Sequence, residues 1–199
     1  MADTAITTFA RSPLHDAATP GGSWDAPLTL SLLPFQTILN LRGDLADPAF
    51  GTAVASVLKV APPAEPNTMA SADGTRVLWL GPDEWLVITE SDDASVADSL
   101  RSALGQQFAA VVDLSDNYTG MALEGEPARK VLEKGWTLDL HPRAFGPGQC
   151  AQSHLGHAPA ILQQISDRPA YTLHVRPSFA RYTWDWLVDA SQEFGLRID

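Results

Sequence analysis

Cysteine, basic residues and long apolar runs are all scarce in this sequence. The single cysteine, Cys150, has no second thiol to pair with inside the chain, which excludes an internal disulfide and any Cys-x-x-Cys redox or zinc-ribbon pattern. Of 199 residues, 13 are lysine or arginine against 24 aspartate and glutamate, giving a formal net charge of −11. That sign repels a phosphate backbone, so no nucleic-acid partner is expected. No stretch approaches the roughly 20 consecutive apolar residues of a membrane span, and the N-terminus has no apolar segment behind a basic flank. The expectation is a cytoplasmic protein without membrane contact. Motifs for common chemistry are missing too: no serine sits in a Gly-x-Ser-x-Gly elbow, and the glycine-containing stretches GPDEW and FGPGQ lack both a Gly-x-Gly-x-x-Gly pattern and a following lysine.

What is present is ample core material, 45% of the composition being apolar. Residues 1–27 mix proline, glycine, serine and threonine without periodicity and read as an extended arm with no core of its own. From Leu28 the texture changes. LTLSLLP and QTILNLRG read as strands, and Asp47-Pro48 places a cap and a first-turn proline before a helix over AFGTAVASVLKV. Three prolines in residues 61–68 mark a surface connection. TRVLWLGPDEWLVIT is a hairpin around Gly81-Pro82-Asp83-Glu84, SDDASVADSLRSALG a helix with Val96, Leu100 and Leu104 on one face, and AAVVDLS a closing strand.

The second half repeats this order: YTGMALEG as strand, PARKVLEKG as helix, QCAQSHL and APAILQQI as a strand pair, YTLHVR as strand and a last helix over SFARYTWDWLVDASQEF. Leu41-Arg42-Gly43-Asp44 matches Leu123-Glu124-Gly125-Glu126, and residues 85–89 match 171–175, at nearly equal offsets. The predicted fold class is α+β: two pseudo-repeated ferredoxin-like halves, 28–114 and 115–199, each an antiparallel sheet with helices on one face, forming one compact unit after the arm.

Three histidines and the cysteine crowd into HPRAFGPGQCAQSHLGH, residues 141–157. Metal ligands must converge to about 2.0–2.3 Å on one ion. On a strand, Cys150 and His154 share a face but stand about 13 Å apart. His154 and His157 share a face only in a helix, which Gly156 and Pro159 oppose, and His141 opens a loop. A nucleophilic Cys150 would need a nearby base and an electropositive setting, which an acidic chain disfavours. The acidic pairs Asp83-Glu84 and Asp92-Asp93 lie in turns and point apart. No catalytic, cofactor-binding or metal site is expected from these residues.

The last helix carries Phe179, Tyr182, Trp186, Ala190 and Phe194 at helical spacing, a stripe expected to face the sheet. Trp184 falls about 200° from Trp186 around the axis, and Leu187 and Val188 widen the apolar surface on its side. That second surface is covered either by a partner chain or by other elements of the same chain. Trp24, beside Gly21-Gly22 in the arm, has little local core to join and is expected to anchor the arm on a neighbouring subunit.

From Val112-Asp113-Leu114-Ser115, through GMALEGEPARKVLEKGWTLDLHPRAFGPGQCAQSHLGHAPAIL to VRPSFARYTWDWLVDASQEFG, the chain resembles the gamma-subunit family of heterotetrameric sarcosine oxidase; RSPL near the start fits the arm of that family. More distantly it is similar to the folate-binding domain of the glycine-cleavage T-protein. The resemblance implies a non-catalytic assembly subunit of a complex that oxidatively demethylates sarcosine to glycine with hydrogen peroxide and, with tetrahydrofolate, methylenetetrahydrofolate. It implies alpha, beta and delta subunits as partners, with FAD, FMN, NAD, folate and zinc on those subunits and no cofactor on this one. The T-protein pattern places a carboxylate for folate chemistry after the glycine corresponding to Gly156; here Gly156-His157-Ala158-Pro159-Ala160 has no acid, so aminomethyl transfer is not expected. The alternative is a free-standing folate-binding protein or aminomethyltransferase-like one-carbon enzyme.

Overall fold

The computed structural model describes residues 12–18, 20–90, 93 and 95–199. Its strands are β1 (Leu28–Leu32), β2 (Ile38–Arg42), β3 (Met69–Ala72), β4 (Thr75–Gly81), β5 (Glu84–Thr89), β6 (Ala110–Asp113), β7 (Thr119–Glu124), β8 (Cys150–Leu155), β9 (Ala158–Ser166), β10 (Ala170–Val175) and β11 (Leu196–Ile198). The helices are α1 (Pro48–Leu58), α2 (Ser95–Leu104), α3 (Ala128–Glu133) and α4 (Pro177–Ser191). Among the described residues no helix is long and apolar enough to cross a membrane.

Strand alternation builds four layers. In β4 and β5, Val77, Trp79, Trp85 and Val87 point one way and join Phe50, Val54 and Leu58 of α1 and Leu100 and Leu104 of α2 in one core. Leu78, Leu86 and Ile88, one residue out of step, point the other way and meet Cys150 and Ile161 of the second sheet. In that sheet Met121, Leu123, Leu162, Tyr171, Leu173 and Val175 face α3 and α4 in the largest core. The order is therefore helices, sheet, sheet, helices, with each sheet covered by helices on one face. Local chemistry supports the elements: Asp47 caps α1 by accepting from the Ala49 N–H at 2.9 Å, Pro48 occupies the first turn, and Lys59 closes the helix in the left-handed conformation. The proline-rich connection is tied down where the Trp85 indole donates to the Pro63 carbonyl at 2.8 Å.

The first sheet runs β3-β4-β5-β2-β6 and is antiparallel; the second runs β8-β9-β10-β7-β1-β11. Four strands correspond in order: β2 with β7, β5 with β10, β4 with β9, β3 with β8. The two sequence matches fall at the ends of β2 and β7 and on β5 and β10. The fifth position differs. Residues 28–32, assigned to the first half by sequence order, pair antiparallel with β7, in the place that β6 takes beside β2, while β11 lies parallel on the far side of β1. Leu28 and Leu30 are fully buried against the α3–α4 core, so the exchange buries two leucines and satisfies both edges of β1. The arm contributes as well: Leu14, expected to lack a core, is fully buried in the same cluster.

The last helix is rotated from the expected face. Its buried residues are Ala180, Thr183, Trp184, Leu187, Ala190 and Ser191, whereas Tyr182 is exposed and Phe179 and Trp186 are half-buried. Small residues at 180, 183, 190 and 191 let the helix approach the sheet closely around one large anchor, Trp184. The aromatic positions marked the rim of that face and not its centre.

Candidate functional site

The inner faces of the two sheets do not meet as an all-apolar layer. At one end they are linked directly: Cys150 N–H donates to the Asn67 carbonyl at 2.9 Å, Met69 N–H to the Gly148 carbonyl at 2.8 Å, and the Gln152 amide to the Leu80 carbonyl at 3.2 Å. Further along the seam, polar residues replace the leucines and isoleucines. Thr172 and His174 alternate inward on β10, Gln163 on β9 and Arg76 on β4, and Gln36 enters from the β1–β2 connection.

His174 is the centre of this layer and is fully buried. Its Nδ1 lies 3.1 Å from the Gln163 amide nitrogen and its Nε2 3.1 Å from Gln36 Oε1. Those partners assign the tautomer: Nδ1 accepts from the Gln163 amide and Nε2–H donates to Gln36. Burial pushes the imidazole pKa down to about 3, and the Arg76 charge adds to the effect, so the ring is neutral at physiological pH. Gly120 makes room for it, since a Cβ there would stand 3.2 Å from His174 Nε2 and 3.0 Å from Leu33.

Among the described residues, cavities open along the seam. One of about 490 Å³ lies under Ser12 and Pro13, between Leu32–Gln36 and Ser115–Gly120. A second, about 420 Å³, is lined by Arg76, Glu90, Gln36, Glu124 and Thr172. A third, about 310 Å³, lies beside His174, His154, Arg176 and Tyr118, where the Arg176 guanidinium stacks 4.6 Å from the Tyr118 ring. Gln36 lines the first two, so the His174 bridge stands between the openings. These groups can donate hydrogen bonds and pair charge. A neutral, fully enclosed imidazole is not placed to carry protons.

The histidine–cysteine cluster is dispersed. Cys150 is buried in the seam, its thiol directed at the Thr68 and Trp79 carbonyls at 3.4 and 3.5 Å, and burial pushes its pKa up to about 12. His154 is exposed on β8, and His141 is exposed in a loop where its Nδ1 accepts from the Arg143 N–H at 3.2 Å. His157 follows the β8–β9 turn and packs on the other side of its sheet: its N–H donates to the Tyr182 hydroxyl of α4 at 3.1 Å. The turn demands Gly156, whose φ is +58° and whose added Cβ would stand 2.4 Å from that hydroxyl. Among the described residues no group of three or more His, Cys, Asp or Glu is arranged to hold a metal.

Of the residues expected at a partner surface, Trp184 and Leu187 are 2% and 0% exposed and belong to the chain's own core; α3 and the second sheet cover them. Val188 is half-buried against the same cluster. Trp24 is 83% exposed, its ring held only 5.2 Å from the Arg197 guanidinium. Asp92 lies outside the described residues. The polar seam itself, Gln36, Arg76, Gln163, Thr172 and His174, was not anticipated. Its signal was available in YTLHVR, where Thr172 and His174 alternate with three apolar residues that share the opposite face.

The sequence profile described as Sarcosine oxidase, gamma subunit family matches residues 42–193. Sarcosine oxidase subunit gamma of Corynebacterium sp. (strain U-96) is 36% identical over 167 residues, covering 84% of this chain and 80% of that protein. Among solved structures, a chain of heterotetrameric sarcosine oxidase from Corynebacterium sp. U-96, in complex with pyrrole 2-carboxylate, superposes with a TM-score of 0.82 at 35% identity, covering 93% of this chain and 96% of that one. Glycine cleavage system aminomethyltransferase T from Bartonella henselae shares the fold, with a TM-score of 0.64 at 12% identity over 84% of this chain and 47% of its own.

Proposed function

This chain belongs to the sarcosine oxidase gamma subunit family, and on that premise we propose that it is a structural subunit of a heterotetrameric sarcosine oxidase, holding the assembly together without performing chemistry itself. The observation that carries this reading is the near end-to-end superposition on a chain of such an enzyme. The protonation states favour it: the only cysteine is held as thiol and the seam histidine as neutral imidazole, leaving neither fitted for attack or proton exchange near neutral pH. In this reading the partners are the alpha, beta and delta subunits, which hold FAD, FMN, NAD, folate and zinc, and the complex works in the cytoplasm, turning sarcosine into glycine. Trp24, with its ring in solvent, is the anchor offered to a neighbouring subunit.

Co-expression of the tagged chain with the other three subunits tests this. A flavin-coloured assembly retained through the tag is the expected result; a chain that elutes alone while the other three assemble refutes it. The alternative, a folate-binding protein or one-carbon enzyme acting alone, has the shared T-protein fold in its favour. It predicts micromolar binding of tetrahydrofolate by the purified chain, which the structural-subunit reading does not.

A further inference from the structure

The Arg76 side chain forms no hydrogen bond or close ion pair among the described residues, Glu90 being the carboxylate whose charge reaches it. Its Nε is enclosed and unpartnered, although the side chain stands on a central strand of the first sheet and points toward the second. Of the guanidinium's five donors the Nε–H is the one enclosed without a partner, and a donor left unmatched out of water is costly. Burial lowers its pKa, the Glu90 charge opposes that, and the group remains cationic at neutral pH.

The same 420 Å³ cavity holds a second unmatched group. Thr172 is 7% exposed and its Oγ1 is enclosed without a partner. Beside it Gln36 is also 7% exposed; its Oε1 is committed to His174, so its amide N–H groups are the end it can offer. The inner wall thus presents a cation and neutral donors. Glu90 and Glu124, both exposed, line the same opening with negative charge. Positive within and negative at the mouth is the polarity that suits a molecule with a carboxylate at one end and a cation at the other. The volume lies in the range of small-molecule clefts.

We propose that this cavity binds a small amino acid in its zwitterionic form, the carboxylate paired with the Arg76 guanidinium and hydrogen-bonded by Thr172 and Gln36, the ammonium directed to Glu90 and Glu124. A planar guanidinium grips a carboxylate through two parallel hydrogen bonds, and the pairing supplies an acceptor for the enclosed Nε–H. The ligand is bound and not transformed, so the site is compatible with a chain that performs no chemistry.

The test is a titration of the full-length, ¹⁵N-labelled chain followed by NMR, with glycine, N-methylglycine, acetate and methylamine as probes. Saturable shifts of the Arg76 Nε–H and the Thr172 amide are expected with glycine and N-methylglycine, with acetate and methylamine each about tenfold weaker or worse. Arg76→Met should abolish the response. Should that variant fail to fold, Arg76→Lys, which keeps the charge but loses the planar fork, should weaken binding about tenfold. Glu90→Gln combined with Glu124→Gln should erase the preference for glycine over acetate. No saturable shift with any probe, or unchanged binding in both Arg76 variants, overturns the site; acetate binding as tightly as glycine overturns the zwitterion assignment.

Discussion

His174 donates through Nε2 to Gln36 Oε1 at 3.1 Å, joining residues 138 positions apart and tying the β1–β2 crossing to the middle of the second sheet. Gln163 completes the bridge from β9. Replacing His174 with leucine removes both bonds at once and strands two buried amides. The expected loss of stability is about 2–4 kcal/mol, read from denaturant unfolding. Gln163→Leu, which strands only the imidazole nitrogen, should cost less.

The same histidine sets a pH dependence. Its folded pKa, about 3, is below the ordinary value of 6.5, so between those limits the unfolded chain binds a proton that the folded chain refuses. The stabilisation is complete above pH 6.5 and declines as pH falls toward 3, by at most about 1.4 kcal/mol per pH unit. Subtracting the His174→Gln profile from that of the parent between pH 7 and 4 removes the contribution of the carboxylates. A difference that stays constant over this range contradicts a neutral buried imidazole.

Cys150 should behave as an inert thiol. With its sulfur enclosed and its pKa raised to about 12, an aromatic disulfide reagent at pH 8 should label it only at the rate of unfolding and quantitatively in denaturant. Fast labelling of the folded chain would show that the seam opens where Cys150 and Met69 bond across it.

Gly156→Ala meets two separate penalties, a positive φ and the Tyr182 hydroxyl at 2.4 Å from the new methyl. The combined cost should be about 1–3 kcal/mol. Adding Tyr182→Phe to Gly156→Ala should recover part of it by removing the clashing oxygen, while the φ strain remains. A double-mutant cycle separates the two; strict additivity would place the strain wholly in the backbone.

Two tryptophans should respond in opposite ways. Trp184→Ala opens the α4 core and should cost about 3–5 kcal/mol of folding stability. Trp24→Ala should leave stability within about 0.5 kcal/mol, since the ring is in solvent, yet weaken retention of the chain in the assembled enzyme. Unaltered assembly would remove Trp24 from the interface.

Much of the fold was legible because its signals are local. The Asp47-Pro48 cap, the Gly81–Glu84 turn and the period-two runs of β4, β5, β9 and β10 require nothing beyond neighbouring residues. Two strands carry no such local signal: β3, whose MASA has no strong alternation, and β11, three residues long. Of the expected α4 stripe Ala190 is buried, but Phe179, Tyr182 and Trp186 stand at the rim, because close packing against a sheet favours the small Ala180, Thr183 and Ser191 around the large Trp184.

The linear sequence by itself determined the element types, the doubling of the pattern and the separation of Cys150 from His154 along one strand, since spacing along a strand or helix sets which side chains share a face. Only the tertiary structure decided that β1 crosses into the second sheet, that Trp184 points inward, and that His174, Gln36, Gln163, Thr172 and Arg76 meet in one seam. Those partnerships join strands far apart in the chain. What selects the Gln163–His174–Gln36 bridge is the requirement that buried polar groups find partners, a condition set by the assembled volume and not by any local run of residues.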